Sequence, residues 1–137
     1  MSNYATENLR TLALVGHGSC GKTTLIEAML YRAGMIPEMG SIQRGTTMCD
    51  NDLLEKEVGH SIRLAVAHID TAMTDLTPVR IHILDTPGYP DYLGQDMSAL
   101  DAVKSVCAVI DPTKGPELLT RRLMAMAKER GLCRMIV

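Results

Sequence analysis

The strongest constraint on the fold is the octet Gly16-His17-Gly18-Ser19-Cys20-Gly21-Lys22-Thr23, which follows a short apolar run at residues 11–15 and leads into a helical pattern from about Lys22. An apolar run of that length between turn signals suits a strand buried on both faces. Beyond the octet, Leu25, Ile26, Met29, Leu30 and Ala33 recur at helical spacing, with Glu27 and Arg32 expected to point away and Gly34 to supply the stop. Strand, glycine turn and helix open an α/β domain. A Gly, four residues and then Gly-Lys-Ser/Thr at that junction is the pattern of a phosphate-binding loop. The glycines let successive N–H groups converge on phosphate oxygens at a helix end whose partial positive charge favours an anion. Lys22 adds a full charge for the β and γ phosphates, Thr23 a hydroxyl for magnesium, and Thr24 is available for the α phosphate. A turn that merely joined strand to helix would need neither Lys22 nor Thr23.

Residues 35–60 carry no sustained period, only Gly, Pro, Thr and a run of charges. A long loop of that kind is usually functional or disordered, so it is a candidate for movement. Residues 61–69 alternate partly and residues 79–84 more clearly, predicting two strands joined by a hairpin-like turn at Asp75-Leu-Thr-Pro78. Residues 97–104 read as a short helix and 106–110 as a buried strand. Residues 116–130 read as a helix with Pro116 in its first turn and Gly131 past its end, and Arg134 begins one more strand. Alternating strands and helices predict an α/β P-loop NTPase fold: a mostly parallel sheet with helices on both faces.

At 137 residues the chain has room for one domain, and 46% hydrophobic with 22% charged residues lacks the polar bias that keeps a chain disordered, so it is expected to fold or nearly fold. Phe and Trp are absent, so the ten methionines are expected to help fill the core. A formal charge of -2 leaves no basic footprint, so direct nucleic-acid binding is not expected. Cys20, Cys49, Cys107 and Cys133 are too scattered for a zinc site and read as reduced thiols. With no signal peptide and no apolar run long enough to span a bilayer, the expected location is the cytoplasm.

Asp85-Thr86-Pro87-Gly88 stands at the end of a predicted strand, where ligands collect in α/β sheets. Its carboxylate can hold magnesium through water, and Gly88 can bring an N–H to the γ phosphate. A loop tied to that group is released when the group is lost. With these motifs in place, the chain resembles the translational GTPases, most closely the front of the GTP-binding domain of elongation factor G and its divergent elongation factor G-like branch. Gly16-His-Gly-Ser-Cys-Gly-Lys-Thr-Thr24 is similar to the family's Gly-His-x-x-x-Gly-Lys-Thr-Thr, and Asp85-Thr-Pro-Gly-Tyr-Pro-Asp-Tyr92 to its Asp-Thr-Pro-Gly-His-x-Asp-Phe. Glu55-Lys-Glu-Val-Gly-His-Ser-Ile62 is similar to its Glu-x-Glu-Arg-Gly-Ile-Thr-Ile switch.

The resemblance implies GTP or GDP with magnesium as ligands, hydrolysis of GTP, and the ribosome as partner through other domains of a parent protein. It puts the family's switch threonine on Ser61, a third magnesium ligand beside Thr23 and Asp85, and its arginine on Val58, which cannot replace it. It also implies that residues 1–137 are an incomplete domain, truncated before the last strands and inactive alone, because the guanine-reading Asn/Thr-Lys-x-Asp motif would follow the strand begun at Arg134. Tyr89 stands where most members carry a histidine that positions the attacking water, a departure shared with the elongation factor G-like branch. A phenol with a pKa of about 10 is neither a cation nor easily deprotonated at neutral pH. Two readings therefore compete: a GTP hydrolase, and a nucleotide-dependent binding module with little turnover. The Asp-Thr-Pro-Gly motif disfavours a third, an ATP-driven enzyme.

Asp50, Asp52, Glu55 and Glu57 lack the spacing of a calcium loop, because Leu53 and Leu54 break it. His68 and His82 read as packed or surface residues of strands, and Arg121, Arg122, Lys128 and Arg130 as a solvated helix face.

Overall fold

The computed structural model describes residues 4–49, 55, 60–73 and 75–137. Among them a single sheet of five strands is ordered β2-β3-β1-β4-β5, comprising β1 (Leu9–Val15), β2 (Ala65–Ala72), β3 (Pro78–Asp85), β4 (Ser105–Ala108) and β5 (Cys133–Ile136). β1 runs parallel to β3 and β4, and β4 to β5; only β2 is antiparallel, paired with β3 from Ala65↔Asp85 to Ala72↔Pro78. The hairpin turn expected after Asp75 is what reverses it.

Among the described residues three helices, α1 (Lys22–Arg32), α2 (Leu93–Ala102) and α3 (Leu118–Glu129), cover the two faces. The two-residue alternation of β1 decides which helix each side chain meets. Leu14 packs with Ile26 and Leu30 of α1, Ile83 and Cys107 on one face. Ala13 and Val15 pack with Leu84, Val106 and Ala108 and with Ala99, Leu100, Leu119 and Leu123 of α2 and α3 on the other. Leu14, Ile26, Ile83, Leu100 and Leu123 are fully buried, each contributing about 1.5–3 kcal/mol relative to exposure.

Several boundaries differ from the sequence expectation. The strand expected at 61–69 is Ala65–Ala72, because residues 61–64 are held by side chains instead of by a ladder. The helix expected at 97–104 is Leu93–Ala102; a short 3-10 turn at Pro90–Tyr92 launches it a full turn earlier. The strand expected at 106–110 is Ser105–Ala108, and the last helix starts at Leu118, leaving Pro116 ahead of its N-cap Glu117. In the 35–60 segment a 3-10 turn occupies Ile42–Arg44. Methionine does not fill the core: no described methionine is buried, and Met29, Met35, Met124 and Met126 only edge clusters made of Val, Leu, Ile, Ala and Cys. None of the four cysteines is joined in a disulfide. Among the described residues no helix is long and apolar enough to cross a membrane.

Candidate functional site

The site forms at the carboxyl edge of the sheet, where β1 leads into the glycine loop and β3, directly beside it, ends at Asp85 opposite Leu14. The chain passes from β1 through α1 and β2 to β3 on one side of β1, and from β3 through α2 to β4 on the other. The strand order reverses beside the carboxyl end of β1, the crevice in which α/β sheets bind ligands. Gly21 caps α1 in the left-handed conformation, and Lys22 and Thr23 open the helix, both buried. Lys22 Nζ reaches back across the loop and donates to the carbonyls of Gly16 at 3.1 Å and His17 at 2.9 Å. The lysine thus sits inside the ring of backbone that the motif requires, with Cys20 Sγ 3.8 Å away.

The three oxygens expected to serve one metal converge. Thr23 Oγ1 donates to Asp85 Oδ2 at 2.6 Å, and Ser61 Oγ lies 3.3 Å from the same threonine oxygen, from a segment 38 residues distant. Because the threonine has one proton and gives it to Asp85, the serine is the donor in the second bond. All three ligands are hard oxygens with a single carboxylate, the set that magnesium takes when substrate phosphates complete its shell. Among the described residues no group of three His, Cys, Asp or Glu forms a rival metal site. The residues present therefore fit magnesium.

Thr86 pins the second motif to the first, its hydroxyl donating to Leu14 O at 2.9 Å. Gly88 has φ +78 and approaches Gly16 O and Lys22 Nζ so closely that a Cβ would collide with both. Only glycine lets the turn close on the loop. Ser19, Gly21, Lys22, Thr23, Ile42, His60 and Ser61 line a cavity of about 50 Å³. That is far below the roughly 300–1,000 Å³ of sites that enclose a whole small molecule. Thr24 is exposed beside it.

Tyr89 lies against the phosphate loop. A Cβ on Gly18 would run into its ring, the His60 ring centroid is 4.6 Å from its own, and that of His17 is 6.2 Å away. His17 Nδ1 donates to Gly18 O at 2.8 Å while Nε2 faces Glu117 Oε2 at 3.2 Å, tying the loop to the start of α3.

Sequence reasoning missed four supporting residues. Glu55 accepts from the N–H groups of Ile62 and Arg63, both at 2.9 Å, and Gln95 of α2 grips Ile62 O and Leu64 N. Together they fix the backbone just beyond Ser61. Glu27 was placed on the outer face of α1 by its spacing, yet it is 1% exposed and accepts from the N–H groups of Gly40 and Met48. His60 lies in the switch-like segment, where the family pattern has Ile, and its part in the site shows only through its contact with Tyr89. Val58, Asp50, Asp52 and Glu57 lie outside the described residues. His68 and His82 face each other across β2 and β3, 6.3 Å apart, remote from the site, and Arg121, Arg122, Lys128 and Arg130 are exposed.

A parallel sheet that delivers a lysine loop and an aspartate turn from adjacent strands to one edge defines a P-loop nucleotide-binding domain. The chain belongs to the family of the elongation factor Tu GTP binding domain, whose family pattern matches residues 7–137. It is 35% identical over 129 residues to an elongation factor G-like protein of Mycobacterium tuberculosis, covering 94% of this chain and 17% of that protein. It is 34% identical over 121 residues to the tetracycline resistance protein TetM from transposon Tn1545 of Enterococcus faecalis, covering 88% and 18%. A crystal structure of a Thermus thermophilus protein superimposes with a TM-score of 0.84 at 35% identity, over 93% of this chain and 18% of that one. The bacterial selenocysteine-specific elongation factor EF-Sec does so with 0.70 at 25% identity, over 92% and 19%. The chain thus spans about a sixth of the length of the curated relatives it matches.

Proposed function

We propose that the protein carrying this chain is a GTP-hydrolysing switch of the elongation factor G-like type that acts on the ribosome through parts beyond these residues. The observation that carries this reading is the meeting of Thr23, Ser61 and Asp85, because it joins the phosphate loop, the 35–60 segment and the Asp-Thr-Pro-Gly turn in one oxygen cluster. Lys22 and the loop N–H groups would hold the β and γ phosphates, and Thr23 and Asp85 would hold magnesium, which would supply neutralisation of the phosphate charge. Ser61 and the Gly88 N–H engage only when a γ phosphate is present, so loss of that phosphate frees both segments. Kinship to the elongation factor Tu GTP binding domain supports guanine as the base.

A second reading, a binding module with little turnover, rests on Tyr89. Phosphoryl transfer depends on positioning and electrostatics, so a poorly placed water slows hydrolysis without weakening binding. Single-turnover GTP hydrolysis by the full-length protein at saturating ribosomes separates the two. The binding-module reading expects slow wild-type turnover that Tyr89→His raises while GTP affinity stays nearly unchanged, whereas the hydrolase reading expects wild-type turnover close to that of the histidine variant. Wild-type turnover as fast as that of the histidine variant would contradict weak hydrolysis.

A further inference from the structure

A phenol can orient a reactant only if its ring is confined, because its hydroxyl sits at the end of a side chain with two free torsions. On the loop side Tyr89 meets the backbone of Gly18 and, farther off, the His17 ring with its centroid 6.2 Å away. The lateral contact comes from His60, whose imidazole stands with its centroid 4.6 Å from that of Tyr89 and its plane inclined by 49°. That is the tilted, close geometry in which aromatic pairs attract each other beyond their burial. His60 also lines the small cavity with Lys22, Thr23 and Ser61. It directly precedes Ser61, and the backbone that follows is clamped by Glu55 and Gln95. The contact that brings Ser61 to Thr23 and Asp85 therefore brings the imidazole onto Tyr89 as well.

We propose that His60 is a positioning residue for hydrolysis, holding the Tyr89 ring over the phosphate loop when Ser61 engages the metal site. The proposal rests on the reading of the protein as a GTP hydrolase. It makes the departure at position 89 a two-residue arrangement, in which an aromatic pair from two switch segments stands where one side chain would otherwise act. The ring of His60 is what matters, so Phe should replace it and Ala should not.

The test uses the full-length protein with ribosomes, comparing wild type, His60→Ala, His60→Phe, Tyr89→Ala and the double variant His60→Ala/Tyr89→Ala in single-turnover GTP hydrolysis and in GTP binding. His60→Ala is expected to slow hydrolysis about tenfold at unchanged affinity, His60→Phe to stay within about threefold of wild type, and His60→Ala to cost nothing further once Tyr89 is gone. An equal loss in the Tyr89→Ala background, a His60→Phe variant as slow as His60→Ala, or a loss of affinity in proportion to rate would each overturn the proposal. Ring-labelled tyrosine gives an independent NMR readout, with the Tyr89 resonance assigned by its absence in Tyr89→Phe. It should move in His60→Ala, and an unmoved resonance would also overturn the proposal. A wild type that binds GTP without turnover would refute the hydrolase reading, and the resonance would still report whether the two rings are paired.

Discussion

Asp96 occupies the least favourable place for a charge among the described residues. It lies on α2 with no exposure, and neither carboxyl oxygen makes a well-aligned hydrogen bond among the described residues. Burial pushes its pKa above the ordinary 3.8, and Thr86, Lys22 and the Gly88 N–H lie near enough to offset only part of that. The folded protein therefore holds this proton more tightly than the unfolded chain does. The stability that follows is present at low pH and is lost as pH rises from about 3.8 through the folded value. Asp96→Asn removes the ionisation, so the variant should melt above wild type at pH 7, with the gap narrowing as pH falls toward 4. A gap that does not change with pH would contradict this. Nothing in the sequence singles out Asp96, since helical spacing assigns a residue to a side of a helix without saying what covers that side. Glu27 was misread for the same reason: the segment carrying Gly40 and Met48 folds over the outer face of α1 and supplies the donors that let a carboxylate be buried there. The phosphate-loop residues were legible because backbone geometry and phosphate chemistry together leave few residue types at each of their positions.

Elements with their own periodicity could be read from the sequence, and those held by side chains could not. β1, β3 and α1 carry apolar patterns fixed by burial, whereas residues 61–64 have no ladder and take their shape from Glu55 and Gln95. This segment couples α2 to the oxygens of Thr23, Ser61 and Asp85, because Gln95 bonds to Ile62 O at 2.9 Å, one residue past Ser61. Ser61→Ala should weaken binding of the triphosphate and spare the diphosphate, since the serine engages only in the closed state. Gln95→Ala should do the same more mildly, leaving the hydroxyl in place but its backbone loosely held. Affinities of both variants for a non-hydrolysable GTP analogue and for GDP check this, and equal losses for both nucleotides would contradict it. The start of α2 was missed because Pro90 opens a 3-10 turn that runs into the helix, and an apolar pattern does not register so short a lead.

Across the whole molecule, the strand order β2-β3-β1-β4-β5 brings two motifs separated by more than sixty residues to one edge, within a single hydrogen bond of each other. Membership of the elongation factor Tu GTP binding domain family accounts for that architecture, and the rings of Tyr89 and His60 pair beside the glycine loop at that edge. The central claim is that Lys22, Thr23 and Asp85 form a magnesium-dependent site for guanine nucleotide. Titration calorimetry of the full-length protein with GTP, GDP and ATP, in magnesium and in excess chelator, tests it against Lys22→Ala. The account predicts tight binding of both guanine nucleotides, none of ATP, a weakened GTP complex without magnesium, and no measurable GTP binding by Lys22→Ala, which loses the one full positive charge inside the loop. Unchanged GTP affinity in Lys22→Ala with magnesium present would contradict it.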